Sequence, residues 1–178
     1  MIRKELMIMT AEERRKELLS KLETSQEPIT GSNLAEFFSV SRQVIVQDIA
    51  LLRAQGETIQ ATSRGYIIPE PNNEMVEKVI ACTHTGEEIE EELATIIKYG
   101  GRVRDVIVEH SLYGELKGLL HIQSRTDLDE FLEQYEDNEV KPLLTLTGGL
   151  HLHTIEALNQ EVLNLIEEKL RDKGFLLD

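Results

Sequence analysis

A chain of 178 residues exceeds a typical single compact domain and favours two small ones. Hydrophobic residues make up 40% of it, with no Trp and 4% aromatics, so its cores must be built mainly from Leu, Ile and Val. The net charge of -14 looks wrong for a nucleic-acid protein until it is divided along the chain: residues 1–69 hold 9 Lys/Arg and 9 Asp/Glu, residues 70–178 hold 10 and 24, so only the first part can approach phosphate cheaply.

Thr10 with Glu13 forms a capping-box pair opening a helix to about Glu23, with Leu18, Leu19 and Leu22 on its buried face. A short second helix runs from about Gly31 to Phe38, turning Leu34, Ala35 and Phe38 inward. Ser39-Val40-Ser41 leads into a third helix, with Ser41 its natural N-cap and Gly56 able to supply the left-handed stop. Two strand-like runs, Glu57 to Ala61 and Tyr66 to Ile68, flank Thr62-Ser63-Arg64-Gly65 as a hairpin.

Three helices and a wing make a winged helix-turn-helix, whose third helix presents its first turns to the DNA major groove. Ile45, Ile49 and Leu52 form its core stripe, leaving Arg42, Gln43, Val46 and Gln47 to face away. Gln43 and Gln47 can bond adenine bidentately, and Arg42 can hold phosphate or guanine or make a surface salt bridge. Three successive β-branched residues, Val44 to Val46, cannot share one core, so Val46 is expected to be exposed, either incidentally or against a thymine methyl. Arg64 at the wing tip is the expected minor-groove or phosphate contact.

Prolines and asparagines in Pro69-Glu70-Pro71-Asn72-Asn73 disfavour both helix and strand, which sets a linker at 70–73 between domains 1–69 and 74–178. Downstream the pattern reads strand (Val76 to Thr83), helix (Glu87 to Tyr99), strand (Val103 to His110), strand (Glu115 to Ile122) and helix (Arg125 to Glu136). Strands at Leu143 to Thr147 and Leu150 to His153, a helix from Ala157 to Lys173 and a short tail complete it. Thr85 with Glu88 is a second capping box, and Gly100-Gly101 stops the helix that it opens. The fold class is therefore two-domain α/β: a winged helix-turn-helix, then an α+β domain related to the ferredoxin-like fold with helices on one sheet face. Cys82 is the single cysteine, which excludes an intramolecular disulfide and reads as a small core residue. No run approaches the roughly 18 apolar residues of a membrane span, and the start of the chain lacks the order of a signal peptide, so a cytoplasmic location is expected.

His151-Leu152-His153 follows Gly148-Gly149, and on a strand the two imidazoles project from one face. That is how a strand offers two nitrogen ligands to one metal. His84, at the end of the first strand of this domain, precedes a helix rich in glutamate, so one carboxylate can complete a mixed nitrogen and oxygen site. Most of those glutamates read as a solvated helix face favoured by the helix dipole. His121 reads as a surface histidine.

Ile29 to Glu36, Val40 to Ile49 and Leu52 to Gly56 resemble the winged helix of the biotin-repressor type. Cys82-Thr83-His84-Thr85-Gly86, Val108-Glu109-His110-Ser111-Leu112-Tyr113-Gly114 and Gly148 to Thr154 resemble the histidine signatures of the 3H domain. The combined architecture is similar to the niacin-responsive repressors of NAD-biosynthesis and niacin-transport genes, and the resemblance covers essentially the whole chain. It implies a metal site on His84, Glu92, His151 and His153, holding one divalent transition metal per chain, zinc, nickel or iron. It further implies nicotinic acid as co-repressor and a homodimer that matches a palindromic operator in double-stranded DNA, with no membrane partner. His110 and Tyr113 are candidates for the ligand pocket, the alternative being a purely structural role at a strand end. Ser111 stands where relatives commonly have proline, which leaves that turn without proline's restraint.

Against this stand a metal-dependent hydrolase fused to a DNA-binding domain, a biotin-repressor-like ligase and a pure dimerisation domain. No additional placed acid or base, nucleophile pair or glycine-rich phosphate loop supports an enzyme, and the second half is short for a ligase.

Overall fold

The structure, a computed structural model, describes residues 9–69, 75–137 and 141–177. The expected linker at 70–73 lies outside the described residues. Two compact units emerge, Met1–Ala61 with Gly65–Glu70 and Thr62–Arg64 with Pro71–Asp178.

The first unit holds α1 (Ala11–Glu23), α2 (Gly31–Phe37) and α3 (Arg42–Ala54), followed by the short strands β1 (Gln60–Thr62) and β2 (Gly65–Ile67). Thr10 opens α1 reciprocally: its hydroxyl oxygen accepts from the Glu13 amide at 3.2 Å, and the Glu13 carboxylate accepts from the Thr10 amide at 2.8 Å. Ser41 caps α3, and its helix ends at Gln55 just before Gly56, which adopts φ +104°. Leu18, Leu22, Leu34, Ile45, Ile49 and Leu52 form the core, as the helical periodicity predicts, joined by Ile59 from the segment after α3. Ile29 and Tyr66 exchange backbone hydrogen bonds of 2.9 Å in each direction, adding a bridge beside the wing. Gly65 permits that approach: it sits at φ +133°, and a Cβ there would lie 2.4 Å from the Ile29 carbonyl oxygen.

The second unit is a four-stranded antiparallel sheet in the order β3-β6-β4-β5, from β3 (Val76–Thr83), β4 (Arg102–His110), β5 (Gly114–Ile122) and β6 (Leu150–Ala157). Helices α4 (Ile89–Lys98), α5 (Arg125–Asp137) and α6 (Gln160–Asp172) connect or follow them. Because β3 and β4 both pair antiparallel with β6, they run parallel to each other with α4 as crossover and the final strand inserted between them. This split β-α-β arrangement is the feature shared with ferredoxin-like folds. Ile80, Leu93, Ile96, Val103, Ile122, Leu128, Ile155, Leu163, Ile166 and Leu170 belong to a single core.

Leu143–Thr147, expected as a strand, is a 3-10 turn. Its threonines bond backward, Thr145 to the Pro142 carbonyl at 2.7 Å and Thr147 to that of Leu144 at 3.1 Å. Gly148 and Gly149 then reverse the chain at φ +67° and +106°, so the alternating residues never meet a strand partner. His121, expected at the surface, is half-buried at φ +53°, and burial lowers its pKa.

Within the first unit Asp48 holds α3 against α1. It is 3% exposed and receives Arg14 at 2.6 Å through Nε and 3.4 Å through a terminal nitrogen, with Arg15 at 3.5 Å. Asp48→Ala leaves a largely buried guanidinium without its acceptor and is expected to destabilise this unit by roughly 1–3 kcal/mol in urea unfolding. A change inside about 0.5 kcal/mol, the range of surface substitutions, contradicts that role.

Candidate metal centre and nucleic-acid face

The end of β3 delivers His84, and β6 carries His151 and His153 two residues apart on the face that meets α4. In register, His151 lies opposite Cys82 and His153 opposite Ile80. The first turn of α4 supplies Glu92, which its neighbours Ile89, Leu93 and Ile96 pull inward while Glu90 and Glu91 stay in solvent. Gly149 makes the approach of the two strands feasible. Its added Cβ would sit 2.5 Å from the His84 carbonyl oxygen, so only glycine lets β6 begin there.

All three imidazoles converge on one oxygen. Glu92 Oε2 lies 2.7 Å from His84 Nε2, 3.4 Å from His151 Nε2 and 3.4 Å from His153 Nε2. The remaining ring nitrogens are each held by a backbone carbonyl: His84 Nδ1 by Thr85 at 2.8 Å, His151 Nδ1 by Gly149 at 2.8 Å and His153 Nδ1 by Asp105 at 2.6 Å. A carbonyl only accepts, so each Nδ1 carries a proton and each Nε2 is left facing the carboxylate, where it donates a hydrogen bond when protonated and offers a lone pair when not. Glu92 is 1% exposed, and its Oε1 has no hydrogen-bond partner.

Such a cluster is unfavourable unless positive charge enters it. In the chain alone protons supply that charge. Burial opposes protonation of His84 and His153, but hydrogen bonding to Glu92 and its charge outweigh it, and both pKa values rise. Burial likewise works against ionisation of Glu92, yet the His153 charge and the imidazole hydrogen bonds hold it well below the usual carboxylate range.

Two supporting residues were not singled out for this centre by spacing. Asp105, 1% exposed beside a β-bulge in β4, orients His153 through its carbonyl, and its carboxylate accepts the Thr154 amide at 3.1 Å. An acid immediately before the apolar run Val106 to Val108 was the available signal. Cys82 is fully buried, in keeping with the small-core reading, but it also borders Glu92 and His151.

His110 and Tyr113 join each other rather than the cluster. They occupy the β4–β5 turn with rings stacked 5.0 Å apart, and His110 Nδ1 accepts the amides of Leu112 at 3.2 Å and Tyr113 at 3.4 Å. Tyr113 is 70% exposed. Those bonds fix the turn at Ser111 without a proline.

On α3, Arg42, Gln43 and Gln47 are exposed, whereas Val46 is half-buried rather than open. Arg64 departs further from expectation. The turn residues Thr62–Arg64 group with the second unit, where the Arg64 guanidinium is 2.8 Å from Asp127 and 2.9 Å from Glu130. At 8% exposure it is committed to carboxylates here rather than offered to phosphate.

Fold and site together define a DNA-binding protein that couples a winged helix to a separate α/β unit bearing a buried histidine and carboxylate centre. The profile of an HTH domain matches residues 14–67 and that of the 3H domain matches residues 77–178. The chain is similar to a probable transcription repressor NiaR of Thermotoga maritima, 47% identical over 167 residues that cover 94% of this chain and 95% of the relative. It is also similar to the transcription repressor NadR of Bacillus subtilis, 39% identical over 176 residues and 97% of each chain. An uncharacterized protein of Methanothermus fervidus is 31% identical over 135 residues, which are 68% of this chain and 20% of that protein. The chain belongs to the 3H-domain family of transcription repressors, and like the two named relatives it is a repressor rather than an enzyme. The hydrolase and ligase readings are thereby set aside.

The sign of the pH dependence follows from the two shifts. Raised His84 and His153 values contribute stability that is complete below the ordinary imidazole range and lost as pH rises through them. The lowered Glu92 value contributes stability present above the ordinary carboxylate range and lost as pH falls. Chelator-treated protein should therefore melt at lower temperature at about pH 8 than at about pH 6, followed by circular dichroism. A melting temperature that climbs steadily over that interval contradicts the assignment.

Proposed function

We propose that this repressor acts on genes of NAD biosynthesis or niacin uptake, with nicotinic acid as co-repressor bound at a metal-containing C-terminal unit. The observation that carries the metal is the set of three Nε2 atoms facing one buried carboxylate oxygen while every Nδ1 is tied to backbone. Imidazole nitrogens oriented by second partners, plus a carboxylate, are a donor set for zinc, nickel or iron, and His84, Glu92, His151 and His153 would hold one ion per chain. The ion would supply a Lewis-acid position for a carboxylate or ring nitrogen.

Charge favours this reading of the effector. Residues 70–178 carry 24 acidic against 10 basic side chains, a field that repels an anion such as nicotinate. A divalent ion would offset the anionic side chains around it and give an anion a point of attachment within that field. His110 and Tyr113 remain candidates for contacts beyond the ion, and a homodimer would present two winged helices to a palindromic operator. In this account α3 reads base edges through Gln43 and Gln47, with Arg42 on phosphate or guanine and Val46 beside them. The effector acts by favouring the DNA-competent arrangement of the two winged helices.

Fluorescence anisotropy with an operator selected from random duplexes, at fixed salt, tests the proposal. Nicotinate should tighten binding by roughly 5–150-fold in the presence of Zn²⁺ or Ni²⁺ and have no effect after chelation. His151→Ala should retain ligand-free DNA affinity and lose the response. An undiminished nicotinate response in chelated protein and in His151→Ala overturns the proposal.

A further inference from the structure

We infer that Cys82 is a ligand of the same ion, adding a thiolate to the imidazole and carboxylate set; this rests on the metal centre proposed above. Donor atoms of Cys82, Glu92 and His151 all lie within 4.8 Å of one another. Two ligands on one ion, with bonds of roughly 2.0–2.3 Å, stand at most about 4.5 Å apart, so little movement is needed. The strands enforce this placement. Cys82, on β3, is two residues before His84 and directly opposite His151 on β6, so sulfur and both rings occupy one patch beneath α4.

A buried cysteine alone is a small apolar residue, and position in the core would explain it. Glu92 supplies the second observation. Its Oε1, buried with the rest of the side chain, has no hydrogen-bond partner although a thiol and three imidazoles surround the carboxylate. An unpaired carboxylate oxygen in that environment is an acceptor suited to a cation. Burial pushes the Cys82 thiol up, with the Glu92 charge and a hydrogen bond to that carboxylate adding to it. Coordination exchanges the S–H bond for an S–metal bond and releases that proton to solvent, with no change of oxidation state. A soft sulfur donor further shifts preference from Mg²⁺ and Mn²⁺ towards Zn²⁺, Co²⁺, Ni²⁺ and Fe²⁺.

Cobalt absorption spectroscopy decides the matter, because the chain contains a single cysteine and any thiolate signal belongs to it. Chelated full-length protein is titrated anaerobically with Co²⁺. The expected result is a near-ultraviolet thiolate-to-cobalt charge-transfer band that saturates at one ion per chain together with the visible ligand-field bands. Cys82→Ser and Cys82→Ala should keep visible bands, lose the ultraviolet band and bind Co²⁺ at least about tenfold more weakly. Visible bands at one ion per chain without the ultraviolet band in the unsubstituted protein remove Cys82 from the site and leave the centre of His84, Glu92, His151 and His153 standing. Failure to bind Co²⁺ at all overturns both. The unsubstituted spectrum suffices even where a variant folds poorly.

Discussion

Three imidazole lone pairs directed at one buried carboxylate form the constraint around which the second unit is organised. Burial brings these groups together and removes the water that would screen them, so the arrangement needs positive charge, which protons supply in the chain alone. The backbone nevertheless spends a carbonyl on each ring to hold the orientation, through Thr85, Gly149 and Asp105. Gly149, the bulge near Asp105 and the inward turn of Glu92 serve the same convergence from three different elements. Structure that holds these groups together in this way is organised around positive charge.

The division of charge along the chain has the same logic. A near-neutral first unit, with Arg42, Gln43 and Gln47 of α3 exposed, sets no repulsive background against an anionic duplex. The acidic second unit does the opposite, discouraging phosphate and any anionic small molecule except at a point where positive charge is concentrated. Membership of a repressor family ties these two properties to one task.

Much of this was legible beforehand, and the failures have physical causes. Thr10 with Glu13, Ser41 and Thr85 with Glu88 mark helix starts because capping is local chemistry, and all appear in the structure. The α3 stripe of Ile45, Ile49 and Leu52 and the His151 and His153 pair follow from helix and strand periods. What periodicity cannot show is a partner far away in sequence. Arg64 was expected to be open because Asp127 and Glu130 lie more than sixty residues downstream. Asp105 and Cys82 were passed over as a site for the same reason, since their roles depend on cross-strand register. Leu143–Thr147 alternates like a strand, but turn hydrogen bonds and the two following glycines prevail. Val46 shows the limit of a wheel argument, since three adjacent β-branched residues left it half-covered rather than bare.

The most direct test is nitrogen-15 NMR of the histidine rings, assigned in full-length protein before and after one equivalent of Zn²⁺. The account predicts that His84, His151 and His153 all keep a protonated Nδ1 throughout, while each Nε2 moves to the position of a zinc-bound nitrogen. Coordination through Nδ1, or any of the three rings left unchanged at full zinc occupancy, would contradict it.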